Sequence, residues 1–212
     1  IKKPVDLGFL DFSSLARREH FCREELRLNR RLAPSLYLDV VPVTAGPHGP
    51  RFGGEGPPLE WAVMMRRFDQ AAQLDRQLAA GLVTTVDMDA VSAHIAAFHD
   101  AATVAPGDRP WGTAAAVVAP VDANVATLQP ALADTSLAPA LARLVDGSDQ
   151  RASVLGERFE QRRIDGRVRE CHGDLNLRNM ARVDDRIVAF DGIEFEPALR
   201  WIDVMSDSAF LL

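Results

Sequence analysis

The chain has 212 residues, 47% of them hydrophobic and 25% charged, enough apolar material to bury a core in one domain or two packed lobes. Its net charge of -6 speaks against a surface built for a nucleic-acid backbone, and no apolar run approaches the roughly 20 residues that span a bilayer, so neither partner is expected. The two cysteines, Cys22 and Cys171, are far apart and lack CxxC spacing, which argues against a disulfide framework or zinc site and for a reducing cytoplasm.

Taken in chain order, Ser13 or Ser14 is placed to cap a helix reaching about Leu32, with Leu15, Cys22, Leu26 and Leu32 near one face. Pro34 ends it. Residues 38–43 are rich in β-branched side chains and predict a strand, whereas the Gly- and Pro-dense stretch from Ala45 to Pro58 predicts a loop or long hairpin connection. That stretch has no lysine, and no P-loop signature occurs anywhere in the chain. Glu60 to Phe68 predicts a second strand, after which helices take over. Asp87 or Asp89 is expected to cap a helix carrying Val91, Ile95, Phe98 and Ala102, and its His94 and His99 read as packed or solvated rather than as ligands. Residues 103–136 have weak periodicity and are expected to be irregular with a short helix. Leu141 to Phe159 suggests a longer helix or two, interrupted near Gly147. Strands return at 167–171, and 180–183 pairs with 186–190 around Asp184-Asp185.

The chemistry gathers at Cys171-His172-Gly173-Asp174-Leu175-Asn176-Leu177-Arg178-Asn179. Asp174 and Asn179 share this loop. From Asn179 the chain runs out along one strand and back along another of similar length, so at about 3.3 Å per residue the two excursions cancel and Asp191 returns beside Asn179. A carboxylate and an amide oxygen are hard ligands suited to magnesium, which takes its other oxygens from water and substrate phosphates. Asp174 is then left to orient or deprotonate a hydroxyl. Phosphoryl transfer needs these parts, because its loose transition state demands positioning and charge neutralisation rather than covalent attack by the protein.

His172-Gly173-Asp174-Leu175 through Asn179, followed by Phe190-Asp191 and by Asp203-Val204-Met205-Ser206-Asp207, resembles the aminoglycoside and choline kinase branch of the protein-kinase-like fold. The stretch from Lys2 through Phe9 to Ser13, with Ile193-Glu194-Phe195 and Leu199-Arg200-Trp201-Ile202-Asp203, is similar to a bacterial subfamily of aminoglycoside-phosphotransferase-like proteins that often carries a separate P-loop kinase domain after this one. The resemblance implies an α+β, two-lobed fold. Residues 1–68 would form a partial nucleotide-binding N-lobe of antiparallel strands and one helix, and 69–212 a larger, mainly helical C-lobe with a catalytic β-hairpin and the acceptor side. The family's Gly-rich hairpin before the lysine and its C-terminal helices are not in the sequence, so a fragment is expected.

The activity implied is a cytoplasmic phosphotransferase that uses ATP and Mg2+ to phosphorylate a hydroxyl of a sugar, amino sugar or aminoglycoside-like molecule. Asp174 would be its base, with Asn179 and Asp191 holding Mg2+. Lys2 would contact the α- and β-phosphates, or Lys3 if the strand register differs by one, and Glu25, or else Glu24, would pair with it. Met65 and Arg66, with Met64, would form the adenine-facing connector. His172 would hold the turn, and Asp203 and Asp207 would brace the loop. Asn176 stands where many members carry His. Two further readings use the same residues: a catalytically silent nucleotide-binding pseudokinase and a metal-dependent phosphoesterase.

Overall fold

A computed structural model describes residues 1–8 and 10–211; Phe9, within the N-terminal stretch singled out above, and Leu212 lie outside them. In chain order the elements are α1 (Leu15–Asn29), β1 (Tyr37–Gly46), β2 (Gly49–Phe52), β3 (Pro58–Met65), α2 (Leu74–Ala79), α3 (Thr85–Ala101), α4 (Ala114–Leu132) and α5 (Ala138–Ile164). They are followed by β4 (Val168–Glu170), β5 (Met180–Val183), β6 (Arg186–Ala189), α6 (Pro197–Arg200), β7 (Trp201–Asp203) and α7 (Val204–Ser208). The class is α+β, with small antiparallel sheets. No helix among the described residues is long and apolar enough to cross a membrane.

The chain divides into two compact units. One comprises Ile1–Ala102, Cys171–Arg200 and Met205–Leu212, and the other Thr103–Glu170 and Trp201–Val204. The lobe boundary expected at 68/69 falls inside the first unit.

In the first unit, α1 begins at Ser14, whose Oγ accepts the Arg17 N–H at 3.2 Å. It packs on a three-stranded sheet of order β2-β1-β3, where its buried Arg18 donates Nε–H between the two Glu60 carboxylate oxygens at 2.8 and 2.9 Å. The stretch from Ala45 to Pro58, expected as a loop or long hairpin connection, contains a tight hairpin that turns between Gly46 and Gly49. The cap of α3 is Thr84 rather than either aspartate. Thr84 Oγ1 accepts the Asp87 N–H while Asp87 accepts the Thr84 N–H at 2.8 Å, so Asp87 completes a capping box. Thr84→Ala is expected to cost about 1 kcal/mol, read as a lower urea midpoint at unchanged slope.

The hairpin β5–β6 turns at Asp184 and Asp185, which both hold positive φ (49° and 58°), the conformation of a two-residue type I′ turn. Both of its faces are covered, because strand side chains alternate. Met180 and Ala189 join a core with Leu32, Leu74, Val91, Ile95, Phe98 and Leu175. Ala181, Val183 and Val188 join a second core with Ala33, Leu36 and Tyr37.

The second unit corrects the reading of 103–136 as mostly irregular. Residues 114–132 form one helix, α4, which contains Pro120 and Pro130 and packs on α5. Each proline removes one backbone bond and crowds the preceding turn, but alanine, the strongest helix former, recurs on both sides of each, at Ala116, Ala119 and Ala123 around Pro120 and at Ala126 and Ala131 around Pro130. Helix α5 runs unbroken through Gly147, since one interior glycine costs only about 1 kcal/mol. Strand β4 pairs antiparallel with β7, Trp111 stacks on Trp201 at 4.6 Å, and Gly112 (φ 73°) has no room for a side chain, as a Cβ would lie 2.2 Å from Val168 Cγ2.

Candidate functional site

The loop after β4 is tied down by burial and by one carboxylate. Leu175 is fully buried in the first core, so the residues on either side of it, Asp174 and Asn176, are held at the core's edge. Gly173 adopts φ 87°, and a Cβ there would sit 2.7 Å from the Leu199 carbonyl oxygen, so only glycine fits. Asp207, at 0% exposure, accepts the Gly173 N–H at 2.8 Å, the His172 N–H at 3.2 Å and His99 Nε2 at 2.9 Å. Burial alone would raise this carboxyl, but the His99 hydrogen bond and the backbone donors outweigh it and hold it below the usual range.

His172 links this loop to the hairpin. Its Nε2 lies 2.9 Å from the Phe190 carbonyl oxygen, which can only accept, while its Nδ1 lies 3.3 Å from the Asp174 N–H, which can only donate. The two contacts fix a neutral ring with its proton on Nε2. Burial acts the same way, lowering the imidazole below its ordinary value.

Hairpin register sets the next placement. Met180 pairs with Ala189, and the Phe190 N–H donates to the Asn179 carbonyl at 2.8 Å, so Asp191 is the first residue past the position opposite Asn179. Asp191 has φ 64°, an uncommon value for aspartate, and neighbouring groups hold it there: its N–H donates to the Tyr37 hydroxyl at 3.1 Å, and the Gly192 N–H donates to Asn29 Oδ1 at 2.8 Å. Tyr37 and Asn29 are site-shaping residues that no motif flagged. The Asp191 side chain is exposed at its rim, yet desolvation and then the Glu25 carboxylate push it above the usual carboxylate range, with Asp174 adding to the effect and Lys2 opposing it.

Asp174 receives two amides. Asn179 Nδ2 donates to Oδ2 at 2.8 Å and Asn176 Nδ2 donates to Oδ1 at 2.9 Å, while Asn176 Oδ1 caps the following turn by accepting the Arg178 N–H at 3.0 Å. Asn176 thus steadies the Asp174 carboxylate. With its nitrogen on Asp174, Asn179 has Oδ1 left unbonded among the described residues.

At the amino end, Lys2 rather than Lys3 meets the helix glutamate. Lys2 Nζ lies 2.7 Å from Glu25 and 2.5 Å from Glu194, whereas Lys3 is exposed and Glu24 pairs with Arg27 at 2.8 Å. Desolvation would lower Lys2, but the Glu25 and Glu194 carboxylates together raise it. Glu194 is also raised, by its own burial, although an ion pair should lower it. With two carboxylates in contact with one ammonium, the lysine charge is the firm element and Glu194 the strained partner. Glu194 stood in the sequence only as part of a resemblance, with no role attached.

Met65 ends β3 half-exposed. Arg66 follows it, donates its N–H to Leu36 O at 2.8 Å and forks onto the Asp184 turn at 2.5 and 2.8 Å, so its side chain is directed to the far end of the hairpin rather than to Asp174. The two aspartates expected to brace the loop part company: Asp207 lies under it, and the carboxylate of Asp203 is taken by Arg162 at 2.6 and 2.7 Å in the second unit.

Two donor sets are candidates for a metal. Asp191 and Asn179 Oδ1 are hard oxygens with no hydrogen-bond donor on them among the described residues, and Asp191 is crowded by like charge; both features fit Mg2+. His99, Cys171 and Asp207 also lie together, with ligand atoms within 4.8 Å, but the Asp207 oxygens already accept three N–H donors. That cluster is a hydrogen-bonded brace.

No family model matches this chain, and no solved structure does. Proteins described as uncharacterized from Mycobacterium tuberculosis and Mycobacterium bovis are each 30% identical to it over 210 residues, covering 99% of this chain and 41% of theirs. The chain thus spans about two fifths of the length of the curated relatives it matches.

Proposed function

We propose that the first unit belongs to an ATP- and magnesium-dependent phosphotransferase of the aminoglycoside-phosphotransferase type, with a protein-kinase-like fold, acting on a hydroxyl of a small molecule. One observation carries this reading. The hairpin register brings Asp191 to the position just past the one opposite Asn179, whose amide nitrogen lies 2.8 Å from the Asp174 carboxylate.

In that reading, Lys2, steadied by Glu25, directs a remaining N–H toward nucleotide phosphate oxygens. Asp174, fixed by Asn176 and Asn179, accepts the hydrogen bond of the acceptor hydroxyl and takes its proton as the hydroxyl oxygen bonds to the γ-phosphorus and ADP leaves. Asn179 and Asp191 would hold magnesium, which would supply charge neutralisation on the phosphate oxygens. His172 and Asp207 touch no reacting group and set the loop's backbone.

The test is incubation of the chain with ATP, magnesium and a panel of sugars, amino sugars and aminoglycosides. ADP formation that requires both magnesium and an acceptor is expected. Phosphate release from an aryl phosphate without ATP would instead mark a phosphoesterase, and nucleotide-dependent thermal stabilisation with no transfer to any acceptor would mark a silent binder.

A further inference from the structure

Lys2 is engaged more heavily than a phosphate-binding lysine needs to be. Its ammonium lies 2.7 Å from the Glu25 carboxylate and 2.5 Å from that of Glu194, with the Phe12 ring centroid 4.9 Å away. An ammonium has three N–H donors, so two carboxylates leave it one, and together they carry one charge more than the lysine does. An approaching anion therefore meets a cation that is already more than cancelled. The Lys2 and Glu194 side chains are 11% and 10% exposed, so the pair lies at the edge of solvent rather than sealed in a core.

The two carboxylates are not equivalent. Glu25 projects from α1, a 15-residue helix packed on the sheet. Glu194 stands in the irregular segment between β6 and α6, three residues past Asp191. Its backbone there is tied: its carbonyl accepts from the buried Arg200 at 3.0 Å, and the neighbouring Ile193 N–H donates to the His172 carbonyl at 2.9 Å. Moving the Glu194 carboxylate off Lys2 thus takes a change of side-chain rotamer and the loss of one charge-assisted hydrogen bond, with no change in the backbone. Burial also works against the Glu194 charge, which makes Glu194 rather than Glu25 the partner that yields.

We propose that Glu194 is an internal competitor for the nucleotide: its carboxylate occupies Lys2 as a phosphate oxygen would, and it turns off the ammonium when phosphate binds, while Glu25 stays. This rests on the reading of Lys2 as the phosphate-binding lysine. The contact sets a threshold, because a ligand gains Lys2 only by binding the ammonium better than a carboxylate already 2.5 Å from it.

The test titrates the chain and its Glu194→Gln and Glu25→Gln variants with ATP and magnesium, followed by calorimetry. Glutamine keeps the shape of glutamate but accepts a weaker, uncharged hydrogen bond. Glu194→Gln is therefore expected to bind ATP about tenfold tighter, whereas Glu25→Gln, which leaves Glu194 as the one carboxylate on Lys2, should bind it more weakly. Carbon-13 NMR of the side-chain carboxyls gives a second readout on the unaltered chain. At saturating ATP the Glu194 signal should move while that of Glu25 stays nearly still. Weaker ATP binding by Glu194→Gln, equal tightening by both variants, or an unmoved Glu194 signal at saturation would overturn the competition and leave Lys2 as the nucleotide's lysine. No ATP binding by any of the three chains would overturn the nucleotide reading, and this inference with it.

Discussion

Asp174→Ala is expected to lower turnover by about 10³-fold or more, the scale of losing a positioned general base, while nucleotide affinity changes by no more than about twofold. The split follows from the proposed roles, in which Asp174 takes the acceptor's proton whereas Lys2, Asn179 and Asp191 serve the nucleotide phosphates. Alanine also releases the two amide nitrogens that Asn176 and Asn179 place on this carboxylate, and so removes two ties on the loop. Asp174→Asn separates the two effects. An amide of the same shape occupies the same space but cannot take a proton, so a loop held as before should still show a loss of similar size. Single-turnover kinetics with ATP and a competent acceptor, beside calorimetric nucleotide binding, make the comparison. Unchanged turnover in either variant would remove Asp174 from the mechanism.

Asp207→Ala is expected to destabilise the chain by about 3–5 kcal/mol, since it strands two backbone N–H groups and the His99 Nε2–H in a place without water. Chemical denaturation of the full chain measures it. The carboxylate's ordinary value is 3.8 and its folded value is lower, so the stabilisation is fully present above about pH 4 and disappears as pH falls through the folded value. The Asp207→Asn chain should lack that acid limb. A destabilisation below about 1 kcal/mol would mean that water, not Asp207, satisfies the loop.

Residue spacing made the hairpin readable: two short strands rich in alternating apolar residues, flanking an Asp-Asp pair that tolerates positive φ, specify both turn and register, and register alone carries Asp191 back to Asn179. Helix α1 was readable from its cap and its end. The choice between Lys2 and Lys3 was not, because neighbouring residues on an extended segment point to opposite sides and only tertiary contact with Glu25 and Glu194 decides. His99 looked like an ordinary helix histidine. Its partner is 108 positions away, beyond any local pattern, and the same is true of Tyr37 and Asn29, which accept from the Asp191 and Gly192 N–H groups across more than 150 residues. Helix α4 was missed for the opposite reason, since two prolines sent a strong local signal that Ala-rich turns and packing on α5 override.

The equal arms of β5 and β6 impose a rule on how this region can vary in length. Adding the same number of residues to both strands lengthens the ribbon and leaves Asp191 beside Asn179. A single residue added to one strand slides Asp191 by about 3.3 Å and reverses which core each side chain on that strand faces. Insertions in homologous chains should therefore come in matched pairs across the turn, or sit within the turn itself, where they alter the Arg66 contact and spare the placement of Asp191 beside Asn179.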